Sequence, residues 1–280
     1  METVTQHATL RSRARAAPHL TDRLTDRLIV GDGCRDAVWL PWLKTLPTAS
    51  VALEDLVPGG RRLVVVAPHP DDEILACGAL IAQQIGAAQK VLVVYVTDGD
   101  ASHGRIGVAA RQALGQTRRL ESTRGLLALG AKGAAMMRLG IPDGAIAGHH
   151  SQLWSRLLQI VQPRDVVVTT WLHDGHPDHE ATARVTRMAC ALVGCKLIEA
   201  PVWMWHWSQP DDARIPFYRL VGLPVPLRVA QAKHAALLCH ESQLKVTDMR
   251  ATPVLGQAIC ERVVRPFEYY FASGDLLERL

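Results

Sequence analysis

Hydrophobic positions divide the chain into two kinds of run. Leu63–Ala67 (LVVVA), Lys90–Thr97 (KVLVVYVT) and Asp165–Thr170 (DVVVTT) are short, nearly continuous and β-branched, as expected of strands covered on both faces. Met136–Leu139 and Lys196–Val202 read as further strands. Between them, Ile74–Gln84, Ala109–Leu129, Gln152–Val161 and Glu180–Val193 have helical spacing. The Ala109–Leu129 helix is expected to bury Leu120, Leu127 and its alanines on one side and to stop at Gly130. Strands alternating with helices predict an α/β fold with a mostly parallel, doubly wound sheet, in which ligands bind outside the carboxyl ends of the strands.

Two segments stand apart. Residues 1–60 carry Arg11, Arg13 and Arg15 and a duplicated Leu-Thr-Asp-Arg at 20–27, read as a solvated segment or short helix. Trp39 and Trp42 suggest that a later part of this extension packs on the main domain, which begins after Pro58-Gly-Gly and runs over 61–280. Farther on, Trp203, Trp205 and Trp207 alternate with other residues and would share one strand face. That face serves either sheet packing, an aromatic platform for a sugar or its aglycone, or a subunit interface.

Composition narrows the class. With 48% hydrophobic and 21% charged residues among 280, the chain should be globular. The formal net charge of +4 is spread along the sequence and forms no nucleic-acid footprint. The longest uncharged apolar-rich stretch, 74–89, is too short for a membrane span. Six cysteines without a C-x-x-C pair read as thiols in a reducing cytoplasm, and the N-terminus lacks a secretory apolar region. Oligomeric state is not legible. No glycine-rich phosphate loop follows any strand, which argues against a nucleotide-binding enzyme.

The chemistry concentrates at two strand ends. Leu63–Ala67 leads into Pro68-His69-Pro70-Asp71-Asp72-Glu73, and Asp165–Thr170 leads into His173-Asp174-Gly175-His176-Pro177-Asp178-His179-Glu180. Either cluster alone is also what a capped helix start looks like. Two of them at matching strand ends argue for a shared site. His69 and Asp72 with one of His176 or His179 would supply two imidazoles and a carboxylate with an open position, a set suited to catalytic Zn²⁺ and able to carry Fe²⁺. Glu73 reads as support for a ligand or the helix start. His173 and Asp174 line the pocket or form a turn, His103 faces substrate or a loop, and His149-His150 reads as a solvated turn.

APHPDDE after a strand, followed by GHPDH after a later one, resembles the PIG-L/LmbE-like family of metal-dependent N-acetylglucosaminyl deacetylases. The similarity extends to Thr97-Asp-Gly, to Arg118 with Glu121, to Leu139-Gly-Ile-Pro-Asp-Gly and to Lys233…His240-Glu-Ser-Gln, covering about residues 61–272. The resemblance implies a Rossmann-like three-layer sandwich and a hydrolase acting on an N-acetylated amino-sugar conjugate through zinc-activated water. A non-sugar amide or a glycosylated secondary metabolite is the alternative substrate. It further implies His69, Asp72 and His179 as zinc ligands and Asp71 as general base. A cationic His176 would act on the oxyanion or the leaving amine, oriented by Asp178, with Arg118 and Asp143 on the sugar. Such chemistry suits a poor electrophile: a zinc ion lowers the pKa of its bound water to about 7, and a neighbouring carboxylate can take the proton.

Overall fold

The computed structural model describes residues 27–246 and 252–272. The arginine-rich stretch and most of the duplicated tetrapeptide lie outside the described residues. One eight-stranded sheet organises the rest, with β1 (Ala49–Ser50), β2 (Leu63–Ala67), β3 (Val91–Tyr95), β4 (Ala135–Arg138), β5 (Val166–Thr170), β6 (Lys196–Ala200), β7 (Leu220–Pro224) and β8 (Phe267–Phe271) in the order β1-β7-β8-β6-β5-β2-β3-β4. All neighbouring pairs are parallel except the two that involve β8. The mostly parallel sheet expected from the strand–helix alternation is therefore present, within the three-layer sandwich that the family resemblance implies.

Alternation along β2 shows how the layers form. Leu63, Val65 and Ala67 enter one core with Ile74, Leu80, Tyr95 and Tyr270, whereas Val64 and Val66 enter another with Ile141, Leu153, Leu157 and Val185. Each fully buried valine contributes roughly 1.5–3 kcal/mol. The first core is covered by α3 (Asp72–Gly86), α4 (Val108–Ala128) and α8 (Leu227–Leu238), with α9 (Glu241–Leu244) and α10 (Gln257–Val263) beyond. The second is covered by α5 (His150–Ile160) and α6 (Pro177–Val193). Two short helices, α1 (Asp36–Leu43) and α2 (Leu53–Leu56), precede β2. Trp39 of α1 is fully buried against Trp205, in a third cluster with Trp171 and Phe271.

Helix α3 is broken. Cys77 leaves helical geometry at φ −150°, ψ 27°. The Glu268 carboxylate of β8 then accepts the backbone N–H groups of Ala79 and Leu80, both at 2.9 Å. Lys233 pairs with that carboxylate and the Tyr270 hydroxyl donates to it at 2.6 Å. The second half of α3 thus starts on a buried, fully bonded cap.

Two expectations are corrected here. Leu120 and Leu127 are 59% and 50% exposed, and α4 instead turns Gly115, Arg118, Glu121, Ser122, Gly125 and Leu126 inward. The reason is polar: Glu121 accepts from the Ser242 backbone N–H and hydroxyl on α9, and Arg118 reaches the loop after β2. The tryptophan row is not a strand face, because β6 ends at Ala200 and Met204–Trp207 form a single helical turn, α7. The N–H groups of Val202, Trp203 and Met204 converge on the Asp174 carboxylate at 2.9–3.0 Å, which winds the segment and separates the three rings.

Candidate metal centre

Both motif loops leave the carboxyl ends of adjacent parallel strands, β2 and β5, where the sheet order reverses direction through the chain. Helix α6 begins as its sequence dictates, with His176 as N-cap, Pro177 in the first turn and Asp178 and Glu180 following, and it ends on left-handed Gly194. His179 is thereby set one turn into the helix and faces the loop after β2.

There, His69, Asp72 and His179 are buried and each offers one ligand atom, all within 4.8 Å of one another. Asp72 Oδ2 lies 3.2 Å from both His69 Nδ1 and His179 Nε2. The other ring nitrogens are occupied by carboxylates. His69 Nε2 is 3.1 Å from Asp143 Oδ1 and 3.3 Å from Asp178 Oδ2, and His179 Nδ1 is 2.8 Å from Asp174 Oδ2. Each ring is therefore held with a lone pair aimed at the common point, the arrangement that typically orients imidazole ligands. His179 Nε2 is buried and makes no hydrogen bond, which a bound cation would account for. Two imidazoles and a carboxylate fit a divalent metal. Of the two candidates left open by spacing, His179 lies in this group and His176 does not.

Electrostatics separate the carboxylates. Burial opposes ionisation of Asp72, but the His179 and His69 rings hold it well below the usual carboxylate range. Asp71 is raised to about 7, by burial first, against the pull of Arg118. Asp71 also occupies φ +127°, a region a non-glycine residue enters only when its surroundings enforce it. They do so here: its N–H donates to Glu73 Oε2 at 2.9 Å, and Arg118 Nη2 donates to its Oδ2 at 3.0 Å. Glu73, fully buried and pushed up to about 8 by burial, also accepts from the Tyr95 hydroxyl. It supports the Asp71 backbone and stays outside the ligand group.

Several residues sit differently from expectation. His176 is lowered to about 3, by burial first, which disfavours the cationic form expected of it. The Asp178 carboxylate does not touch it: that group faces His69 and accepts from the N–H of Gly144, while the backbone N–H of Asp178 donates to His176 Nδ1 at 3.2 Å. With Nδ1 accepting, the neutral ring carries its proton on Nε2. Arg118 is 2% exposed and committed to Asp71, Pro70 O and Gly99 O. Asp143 accepts from the Ala101 N–H besides meeting His69. Both nevertheless line a cavity of about 710 Å³ that contains His69, Asp71, Asp72, His176 and His179. His173 is exposed, His149 and His150 bond nearby backbone carbonyls, and His103 lies against Ser102.

Asp174 is the residue that local spacing could not assign. It is fully buried, holds His179 and anchors α7, yet its backbone partners lie 28–30 positions away.

The PIG-L model, described as GlcNAc-PI de-N-acetylase, matches residues 64–190. A 1D-myo-inositol 2-acetamido-2-deoxy-alpha-D-glucopyranoside deacetylase of Rhodococcus opacus is 32% identical, covering 78% of this chain and 94% of the relative. One of the same description from a Mycobacterium species is 31% identical, covering 83% and 89%. Among solved structures, the A40926 pseudoaglycone deacetylase superposes with a TM-score of 0.51 at 25% identity, over 67% of this chain and 84% of that one. A zinc-inhibited form of teicoplanin deacetylase gives 0.51 at 20% identity, over 65% and 85%, and shares the fold.

Proposed function

Because the chain belongs to the PIG-L family of de-N-acetylases, we propose that it is a zinc-dependent hydrolase that removes the acetyl group from the nitrogen of an N-acetylglucosamine conjugate. The observation that carries this reading is the buried His69–Asp72–His179 group with a carboxylate, Asp71, beside it and outside it.

His69, Asp72 and His179 would hold a divalent ion, which would supply an acidified water and Lewis-acid activation of the acetyl carbonyl; zinc suits the donors, and Fe²⁺ is the other candidate. The protein's own groups do the rest. Asp71, fixed by Arg118 and Glu73, takes a proton from the attacking water and returns it to the departing nitrogen. Its burial keeps its proton affinity near neutrality, which suits both halves of the transfer. Neutral His176 donates from Nε2 to the oxyanion, its tautomer set by the Asp178 backbone N–H. Asp178 and Asp143 back His69, and Asp174 backs His179. Arg118 and Asp143 line the same cavity, the position from which they would meet sugar hydroxyls.

No described helix is long and apolar enough to cross a membrane. The six cysteines are free thiols, which supports a reducing cytoplasmic setting. The test is acetate release by the metal-loaded protein from a panel of N-acetylglucosamine conjugates, with a chelated control. Chelator-sensitive release supports the reading; one bound metal per chain without release from any conjugate overturns it.

A further inference from the structure

We propose that residues Ile29–Asp32 form a specificity wall of the active-site cavity, and that this wall receives an apolar, non-anionic aglycone on the amino sugar. The inference rests on the deacetylase reading and extends it to the part of the substrate that does not react.

The cavity is larger than its chemistry requires. At about 710 Å³ it lies in the range that houses a drug-sized ligand, well beyond one pyranose ring. The metal group and His176 line one part. Ile29, Val30, Gly31 and Asp32 line another, with Trp203, Leu255 and Ile259. The segment that supplies this wall is fastened at several points. Arg27 pairs with Glu180 at 2.5 Å, and the same carboxylate accepts the Gly175 N–H at 3.0 Å. Val30 O meets His206 Nε2 at 3.1 Å, Cys34 N–H donates to His206 O at 3.0 Å, and Arg262 donates to Cys34 O at 2.8 Å.

Glycines mark the two close approaches. A Cβ on Gly33, at φ +65°, would lie 2.4 Å from His206 Nδ1; one on Gly175, at φ +91°, would lie 2.6 Å from Trp207 Nε1 and 3.3 Å from Arg27 O. The strap therefore packs directly on the loop that carries His176.

Its surface selects the ligand. Val30 is 68% exposed although it lines the cavity, so apolar area is presented there, while Ile29 beside it is partly buried against the first core. The only Lys or Arg on the described lining is Arg118, whose guanidinium is engaged by Asp71. Asp32 adds negative charge at the wall. Among the described lining residues, an aglycone bearing phosphate meets no Lys or Arg besides the Asp71-bound Arg118, whereas a hydrocarbon or aryl group gains contact with Val30, Ile29 and Trp203.

The experiment compares kcat/KM for acetate release from phenyl N-acetylglucosaminide, inositol N-acetylglucosaminide, its phosphorylated form and free N-acetylglucosamine. The phenyl conjugate should exceed the free sugar by about tenfold or more, and Val30→Asp and Ile29→Ser should each collapse that ratio towards one. In parallel, calorimetry reads binding of the unreactive phenyl glucosaminide, which Val30→Asp should weaken by about tenfold. A ratio unchanged in both variants, or preference for the phosphorylated conjugate, overturns the wall. Strap-dependent binding without acetate release from any conjugate overturns the reaction instead and upholds the wall.

Discussion

Replacing Asp174 with Asn isolates the orientation of one metal ligand from its identity. The carboxylate is fully buried; Oδ2 meets His179 Nδ1 at 2.8 Å and the Trp203 N–H at 3.0 Å, while Oδ1 accepts from Val202 and Met204. Asn preserves the shape and can keep the two Oδ1 contacts. Its amide nitrogen, placed where Oδ2 was, donates to His179 Nδ1 and so drives the ring proton to Nε2, the atom aimed at Asp72. Loss of such a backing group typically costs 10–100-fold in metal affinity, or about 1.4–2.7 kcal/mol. The Trp203 N–H also loses its acceptor, at about 1–3 kcal/mol for a buried donor. For a chain of this size that lowers the Tm of the metal-free protein by roughly 2–4 °C per kcal/mol. Zinc affinity is read by competition with a chromophoric chelator, and Tm by calorimetry on chelated protein. A lowered Tm with wild-type zinc affinity would refute the tautomer argument while leaving the α7 anchor intact.

Other expectations follow from the same geometry. Asp71→Asn should keep one metal per chain and lower kcat by about 10²–10⁴, read by metal analysis and acetate release; loss of metal would mean that Asp71 is a ligand. His179→Ala should lose the metal after dialysis, and intact stoichiometry would remove it from the ligand group. His240 is buried with neither ring nitrogen bonded and is held down to about 3, by burial first and then by Arg118. Unfolded imidazole takes a proton near about 6.5, so below that pH the unfolded chain binds more protons. Stability should therefore be complete above about pH 6.5 and fall as pH drops, by up to ~1.4 kcal/mol per unit, and denaturant titrations of His240→Leu should show a shallower acid slope.

Much of the sheet was legible because β2, β3 and β5 are buried on both faces and leave unbroken β-branched runs. The C-terminal strands left no comparable mark: β7 contains Gly222 and ends in Pro224, and β8 alternates partly buried and buried residues. The candidate metal group was legible because His69, Asp72 and His179 lie inside two compact motifs at strand ends. What positions them was not. Asp174 acts on residues far along the chain, Arg118 is buried on a face that helical spacing assigns to leucines, and His176 is set by a backbone N–H rather than a side chain. The tryptophans misled for a related reason: alternation records only sequence, and a carboxylate from another loop wound the segment into a helical turn.

The break in α3 bears on the order of events during synthesis. The helix that presents Asp72 depends on Glu268, near the end of the described chain, to satisfy the amides freed at Cys77. As the polypeptide emerges N-terminus first, both ligand motifs are made long before that cap, and β7 lacks its β8 neighbour until the same moment. The nascent protein should thus expose an unfinished sheet and a loose centre until its last strand arrives, and truncations just before Phe267 should yield chains that chaperones hold and zinc does not rescue.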